Sequence, residues 1–152
     1  HVLAGSEGGV LLGLGGDRVS IAVDERMRTY QIDPSLGDEP EIEPVGDTPF
    51  VSDGVVQSAL SPDGRHLAVG RLTTITEPDL VDVVAVDSGE VLHTFGPALG
   101  LSFSWIDDDR LAYVAPDGGR FNLVAVPFDG GDGSVLLEAG DLDWFHQFVP
   151  IG

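Results

Sequence analysis

Cysteine is absent from this 152-residue chain, and so is lysine. Without thiols there is neither a disulfide framework nor a thiolate metal site, so the fold rests on packing and hydrogen bonds. Without lysine, positive charge falls to seven arginines against 26 aspartates and glutamates, a formal net charge of −19. Phosphate recognition needs clustered cations, and these arginines are scattered, which argues against nucleic acid as a partner. No apolar run reaches the ~18 residues of a membrane span. His1 stands where a Met would, and no basic segment precedes the apolar Val10-Leu11-Leu12, so no targeting segment is in view and the chain reads as excerpted or processed. Helix signals are also nearly missing: 21 glycines and 10 prolines interrupt the chain too often for helices of ordinary length.

What is present is strands and turns. In Ala59-Leu60-Ser61-Pro62-Asp63-Gly64-Arg65-His66-Leu67-Ala68-Val69 a strand end, a turn and a strand start follow one another. Pro62 presets φ for the first central turn position, Asp63 tolerates the second, and Gly64 can take φ > 0 where a side chain would clash. The same shape recurs about 45 residues later around Trp105-Ile106-Asp107-Asp108-Asp109-Arg110-Leu111 and earlier around Leu14-Gly15-Gly16-Asp17-Arg18-Val19, which puts Arg18, Arg65 and Arg110 at equivalent positions.

Each unit reads as four strands: 9–14, 19–25, 29–33 and, weakly, 41–45; then 55–60, 67–72, 81–87 and 90–95; then 101–105, 110–115, 122–127 and 134–138. Asp87-Ser88-Gly89 and Asp129-Gly130-Gly131-Asp132-Gly133 are hairpin loops. Four short antiparallel strands per repeat, in units too small to bury their own faces, are the blades of a β-propeller. The apolar runs Val83-Val84-Ala85-Val86 and Leu123-Val124-Ala125-Val126 suit strands covered on both faces by neighbouring blades. A β-sandwich leaves the repeat unexplained. The expected fold is therefore all-β, with blades at about 7–48, 50–97 and 99–140 and the first strand of a fourth at 141–152, as part of a larger propeller. Self-association that completes the ring is one way to cover its open ends.

The stretch Ser61-Pro62-Asp63-Gly64-Arg65-His66-Leu67-Ala68-Val69, with Val83-Val84-Ala85-Val86-Asp87 and Ser88-Gly89-Glu90 after it, resembles the blade motif of bacterial TolB-like propellers. The first and third turns depart from that motif. The resemblance implies a propeller that binds a protein partner through blade-end loops, in an extracytoplasmic setting. It equally admits a propeller that regulates access to a hydrolase or peptidase domain outside this chain.

Other constellations read as structure. The carboxylates of Asp107, Asp108 and Asp109 and of Asp129 and Asp132 lack the spacing of a Ca²⁺ loop. His1, His66, His93 and His146 have no second ligand at a metal-binding offset. Gly13-Leu14-Gly15-Gly16-Asp17 lacks the lysine of a phosphate loop and leads into a strand, and Gly5-Ser6-Glu7-Gly8 is no nucleophile elbow. Phe103, Trp105, Trp144, Phe145 and Phe148 read as packing between blades. No catalytic residue, cofactor or metal is expected. The residues singled out, Ser61, Pro62, Asp63, Gly64 and Arg65, form a structural turn. The acidity reads as a solvated surface, with a high-salt organism or a basic partner as its special cases.

Overall fold

A computed structural model of the chain describes residues 9–33, 41–51, 54–71, 79–98, 103–118 and 120–139. The expected fourth-blade strand lies outside the described residues, as do His1, His146, Trp144, Phe145 and Phe148. Among the described residues there are twelve strands and no helix, hence no helix long and apolar enough to cross a membrane.

Three sheets follow the chain, each with its four strands adjacent in sequence order and antiparallel. Blade 1 comprises β1 (Val10–Gly15), β2 (Arg18–Val23), β3 (Arg26–Asp33) and β4 (Glu41–Pro49). Blade 2 comprises β5 (Val55–Leu60), β6 (His66–Arg71), β7 (Asp79–Ala85) and β8 (Val91–Ala98). Blade 3 comprises β9 (Phe103–Trp105), β10 (Arg110–Asp117), β11 (Arg120–Pro127) and β12 (Ser134–Ala139). The all-β fold and its four-stranded antiparallel blades are those expected from the repeat.

Two sequence expectations need correction. The expected strand 19–25 stops at Val23, because Asp24 and Glu25 both take positive φ (51° and 60°) and turn the chain into β3. A two-residue hairpin of that kind needs φ > 0 at both central positions and usually announces itself with glycine or asparagine. Here an Asp-Glu pair occupies it, against a steric cost of about 1–2 kcal/mol per residue.

The second correction concerns the arginines. Ile32 N donates to Asp17 O, Val86 N to Arg65 O and Phe128 N to Asp109 O, so Asp17, Arg65 and Asp109 are the equivalent set. One residue on, Arg18 pairs with Gln31, His66 with Ala85 and Arg110 with Pro127, so His66 occupies the arginine position of blade 2. The offset arises because the three first turns differ in length.

The blades stack face to face. Leu12, Ala22, Met27 and Phe50 of blade 1 pack on Leu60, Leu67, Val69, Val84 and Val86 of blade 2. The other face of blade 2, with Ala68, Val81, Val83 and Phe95, packs on Phe103, Leu111, Tyr113 and Val126 of blade 3. Successive strand residues point to opposite faces, so the middle blade is apolar on both, and Leu67, Ala68 and Val69 are all fully buried. Burying one such aliphatic side chain contributes about 1.5–3 kcal/mol.

Candidate functional site at the turn end of the inner strands

The first strands of the three blades, β1, β5 and β9, lie side by side, each with an edge that no strand of its own sheet pairs. Side chains reach across to the carbonyls on those edges. Ser58 Oγ donates to Leu12 O (2.6 Å), Gln57 Nε2 to Phe103 O (3.3 Å) and Trp105 Nε1 to Ala59 O (2.9 Å). These bonds supply partners to backbone groups that would otherwise be left without one inside the stack.

The turn after β5 is held from within. Gly64 N donates to Ser61 O (2.9 Å), and Ser61 N to His66 O (2.8 Å). The Ser61 hydroxyl, wholly buried, donates to Asp63 Oδ1 (2.6 Å) and accepts from His66 N (2.9 Å), while Arg65 N donates to the same Asp63 oxygen (3.0 Å). Burial works against the Asp63 charge, but the Ser61 hydroxyl and the Arg65 amide, with Arg65 and His66 nearby, outweigh it and hold the carboxyl below its ordinary range. Gly64 sits at φ +71°, and a Cβ there would lie 2.7 Å from Cδ of Arg18. The bare turn of blade 2 is thus the seat of the blade 1 arginine. Arg65 itself points outward, its side chain 75% exposed and 3.8 Å from Asp63.

The other two turns are built differently. In blade 1, Gly16 and Asp17 form the whole loop, and Gln31 Nε2 donates to Asp17 Oδ2 (2.9 Å). In blade 3, Arg110 folds back with Nε and Nη2 on Asp107 Oδ2 (2.8 and 2.5 Å), and Asp109 N caps Asp107 Oδ1 (3.1 Å). The Arg110 guanidinium holds the Asp107 carboxyl low and is itself shifted up by that carboxylate.

The inner strands, with Gly16 and Pro62 of the first two turns, border an open cavity of about 480 Å³. Leu14 and the glycines beside it line one wall, Ser58, Ala59 and Pro62 another, and Ser104 and Trp105 a third. Backbone, apolar surface and two hydroxyls make up the lining, and the turns that follow the three inner strands carry Asp17, Asp63 and Asp107.

Ser61, Asp63 and His66 come together but not as a nucleophile and its base. The serine hydroxyl is committed to the aspartate, and only the backbone of His66 touches it. The His66 ring stacks on Phe128 (4.1 Å between centroids, 26°) with Trp105 at 6.0 Å, and its Nδ1 is buried with no hydrogen-bond partner among the described residues. His93 lies against Phe95 instead, at 4.5 Å. No group of three or more metal-ligating side chains converges among the described residues. In the loop from Asp129 to Gly133, the Asp129 carboxylate accepts from Gly131 N (3.2 Å) and serves the turn.

Sequence reasoning singled out the turn from Ser61 to Arg65 but not its neighbours across the blade boundary. Arg18 and Ser58 carry no sequence mark of a cross-blade role, whereas Trp105 packs between blades as its aromatic character suggests and adds a hydrogen bond to Ala59 O. A usable signal exists: all three inner-strand bonds join residues 46 positions apart.

No protein-family model matches the chain, and no curated protein matches it. Among solved structures it is similar to the crystal structure of TolB from Acinetobacter baumannii, with 16% sequence identity and a TM-score of 0.48. The likeness covers 88% of this chain and 44% of that one, so the chain spans less than half the length of that structure.

Proposed function

We propose that the chain is a non-catalytic binding module that offers the turn end of its blades to a protein partner bearing basic side chains. The observation that carries this reading is the open cavity of about 480 Å³ between the three inner strands, whose following turns carry Asp17, Asp63 and Asp107. Its walls supply apolar contact from Leu14, Pro62 and Trp105, with few polar groups to fix orientation, which is the usual make-up of a recognition site. The Ser58 and Ser104 hydroxyls both donate to backbone carbonyls, Leu12 O and Trp105 O, and among the described residues neither a histidine nor a carboxylate lines the cavity to activate them. Asp63 and Asp107, both held below the ordinary carboxyl range, stay charged well into mild acid. A field of this sign steers basic surfaces in and keeps phosphates away. By the resemblance of its blade motif, such a module works outside the cytoplasm.

Titration of the isotope-labelled chain with an arginine-rich peptide and with its glutamate-rich counterpart tests this. The basic peptide is expected to shift the amides of Leu14, Gly16 and Ser104 and the Trp105 indole, with an effect that weakens as salt shortens the Debye length. Silence with the basic peptide, or shifts confined to the opposite end around Asp24, Glu25 and Gly118, would contradict it.

A further inference from the structure

Five Asp-Gly pairs lie in this chain, at 53–54, 63–64, 117–118, 129–130 and 132–133. Asp53 lies outside the described residues, and the turns of the other four hold them in different ways. Such a pair carries its own reactive partners. The amide nitrogen after the aspartate can close a five-membered ring on the side-chain carboxyl carbon, and glycine, with no Cβ, does not screen that nitrogen. Whether the two atoms meet is decided by the fold. Asp117-Gly118-Gly119 and Asp129-Gly130-Gly131 make the point, because they are alike in sequence and unlike in structure.

Three of the four pairs are tied down. Asp63 takes two donors on one carboxylate oxygen, Ser61 Oγ (2.6 Å) and Arg65 N (3.0 Å), while Gly64 N is given to Ser61 O (2.9 Å). Asp129 Oδ1 accepts from Gly131 N (3.2 Å), Gly130 N donates to Pro127 O (3.1 Å), and a Cβ on Gly130 would run into the His93 ring. Gly133 is held by packing instead, since a Cβ there would lie 2.8 Å from Cγ1 of Val126.

The pair at Asp117 is free to move. It opens the two-residue turn between β10 and β11, where Asp117 and Arg120 form the last rung of the ladder. Gly118 is exposed at φ +56°, and a Cβ built on it would meet nothing within 4 Å. Among the described residues Gly118 N finds no acceptor, and the Asp117 carboxylate keeps one contact, from Asn122 Nδ2 to its Oδ2 at 3.2 Å. Exposed turn tips of small residues are where the backbone is least restrained.

We propose that Asp117-Gly118 is a site of spontaneous covalent modification, at which the folded chain converts aspartate to isoaspartate. Gly118 N attacks Cγ of the neutral carboxyl, an N–Cγ bond forms, and the amide proton leaves with the carboxyl hydroxyl as water. The product is a succinimide ring. Water then adds back at one of the two ring carbonyls. Opening at Cγ restores aspartate, whereas opening at the main-chain carbonyl leaves the chain running through Cγ, one methylene longer, with a free α-carboxylate beside it. Water lost equals water regained, so the mass is unchanged. The longer turn gives up the rung between Asp117 and Arg120 but keeps the pairs from Arg110 with Pro127 to Pro116 with Phe121. The altered blade therefore stays folded, and the product accumulates. The site lies at the end of the blades opposite the cavity and is independent of the proposed function.

Incubation of the folded chain at neutral pH and body temperature tests this, with mass-spectrometric fragmentation that distinguishes α-linked from β-linked aspartate at each site. Each tied pair must first give up hydrogen bonds or packing, so isoaspartate is expected at Asp117 at least about tenfold faster than at Asp63 or Asp129, with Asp132 between. In concentrated urea the restraints are gone, and the four pairs should react at similar rates. Equal rates at Asp117 and Asp129 in the folded chain would overturn the proposal, as would isoaspartate at Asp117 that forms only in urea. A lead of Asp117 over Asp129 that persists undiminished in urea would also overturn it, because the fold would then not be its cause.

Discussion

The two blade-to-blade interfaces solve the same problem by opposite means. Between blades 1 and 2 the backbones come together: a Cβ on Gly15 would run into the Ser61 carbonyl oxygen, and Arg18 lies over the bare turn at Gly64. Between blades 2 and 3 aromatic side chains fill the space instead. Trp105 donates across to Ala59 O, His66 stacks on Phe128, and Phe95 meets Tyr113 at 6.3 Å between centroids. A stack of similar sheets thus tolerates different spacers, provided that each gap is filled to close packing. The third turn, with Asp109 and no glycine, offers no bare seat, and at the Arg18 position blade 2 carries His66, which stacks on Phe128, while Arg65, one residue earlier, stays in solvent.

The largest effects should come from the equivalent core residues Leu67 and Leu111, one on each interface and both fully buried. Truncation to alanine is expected to cost about 2–5 kcal/mol at either site, with Leu67→Ala nearer the top because backbone contacts leave the first interface less able to collapse around the void. Urea unfolding of both variants checks this, and a Leu111→Ala cost under about 1 kcal/mol would remove the second interface from the core. Next comes Gly64→Val, which forces a β-branched residue into a left-handed conformation and onto Arg18, for about 1–3 kcal/mol. If the Arg18 seat matters, Arg18→Ala should relieve part of that cost in the double variant, and strict additivity would place the whole penalty in the turn backbone.

Trp105→Phe keeps the aromatic filler of the second interface but removes the donor to Ala59 O, with an expected loss of about 0.5–1.5 kcal/mol. The smallest effect is one of pH. The folded Asp63 carboxyl lies below its unfolded value, so its contribution to stability is present above about pH 4 and fades as pH falls through the folded value. Asp63→Asn should flatten the acid limb of the stability curve, and an unchanged limb would mean that the turn does not hold the charged form.

The turn-marked elements could be read from the sequence, and the contacts between them could not. Pro62, Asp63 and Gly64 announce a turn through their own backbone preferences, and the short apolar runs that flank the turns mark β6 and β10 as strands. Asp24 and Glu25 carry no such mark, so the β2–β3 turn was invisible. Arginine chemistry suggested a repeat register that strand pairing corrects, since the first turns hold two, four and three residues between equivalent strand positions. The cavity was likewise hidden, because its walls come from three blades and nothing within one blade specifies which residue of the next it will meet. Only the 46-residue spacing of the inner-strand bonds reflects that encounter in the sequence.

The most direct test of the stacked-blade arrangement is a nuclear Overhauser spectrum of the labelled chain, read at one contact from each interface. Cross-peaks are expected between the Arg18 side chain and the Gly64 α-protons, and between the Trp105 indole proton and the backbone around Ala59. Strand-to-strand cross-peaks within each blade in the absence of both cross-blade pairs would contradict the arrangement, leaving three sheets that fold but do not stack.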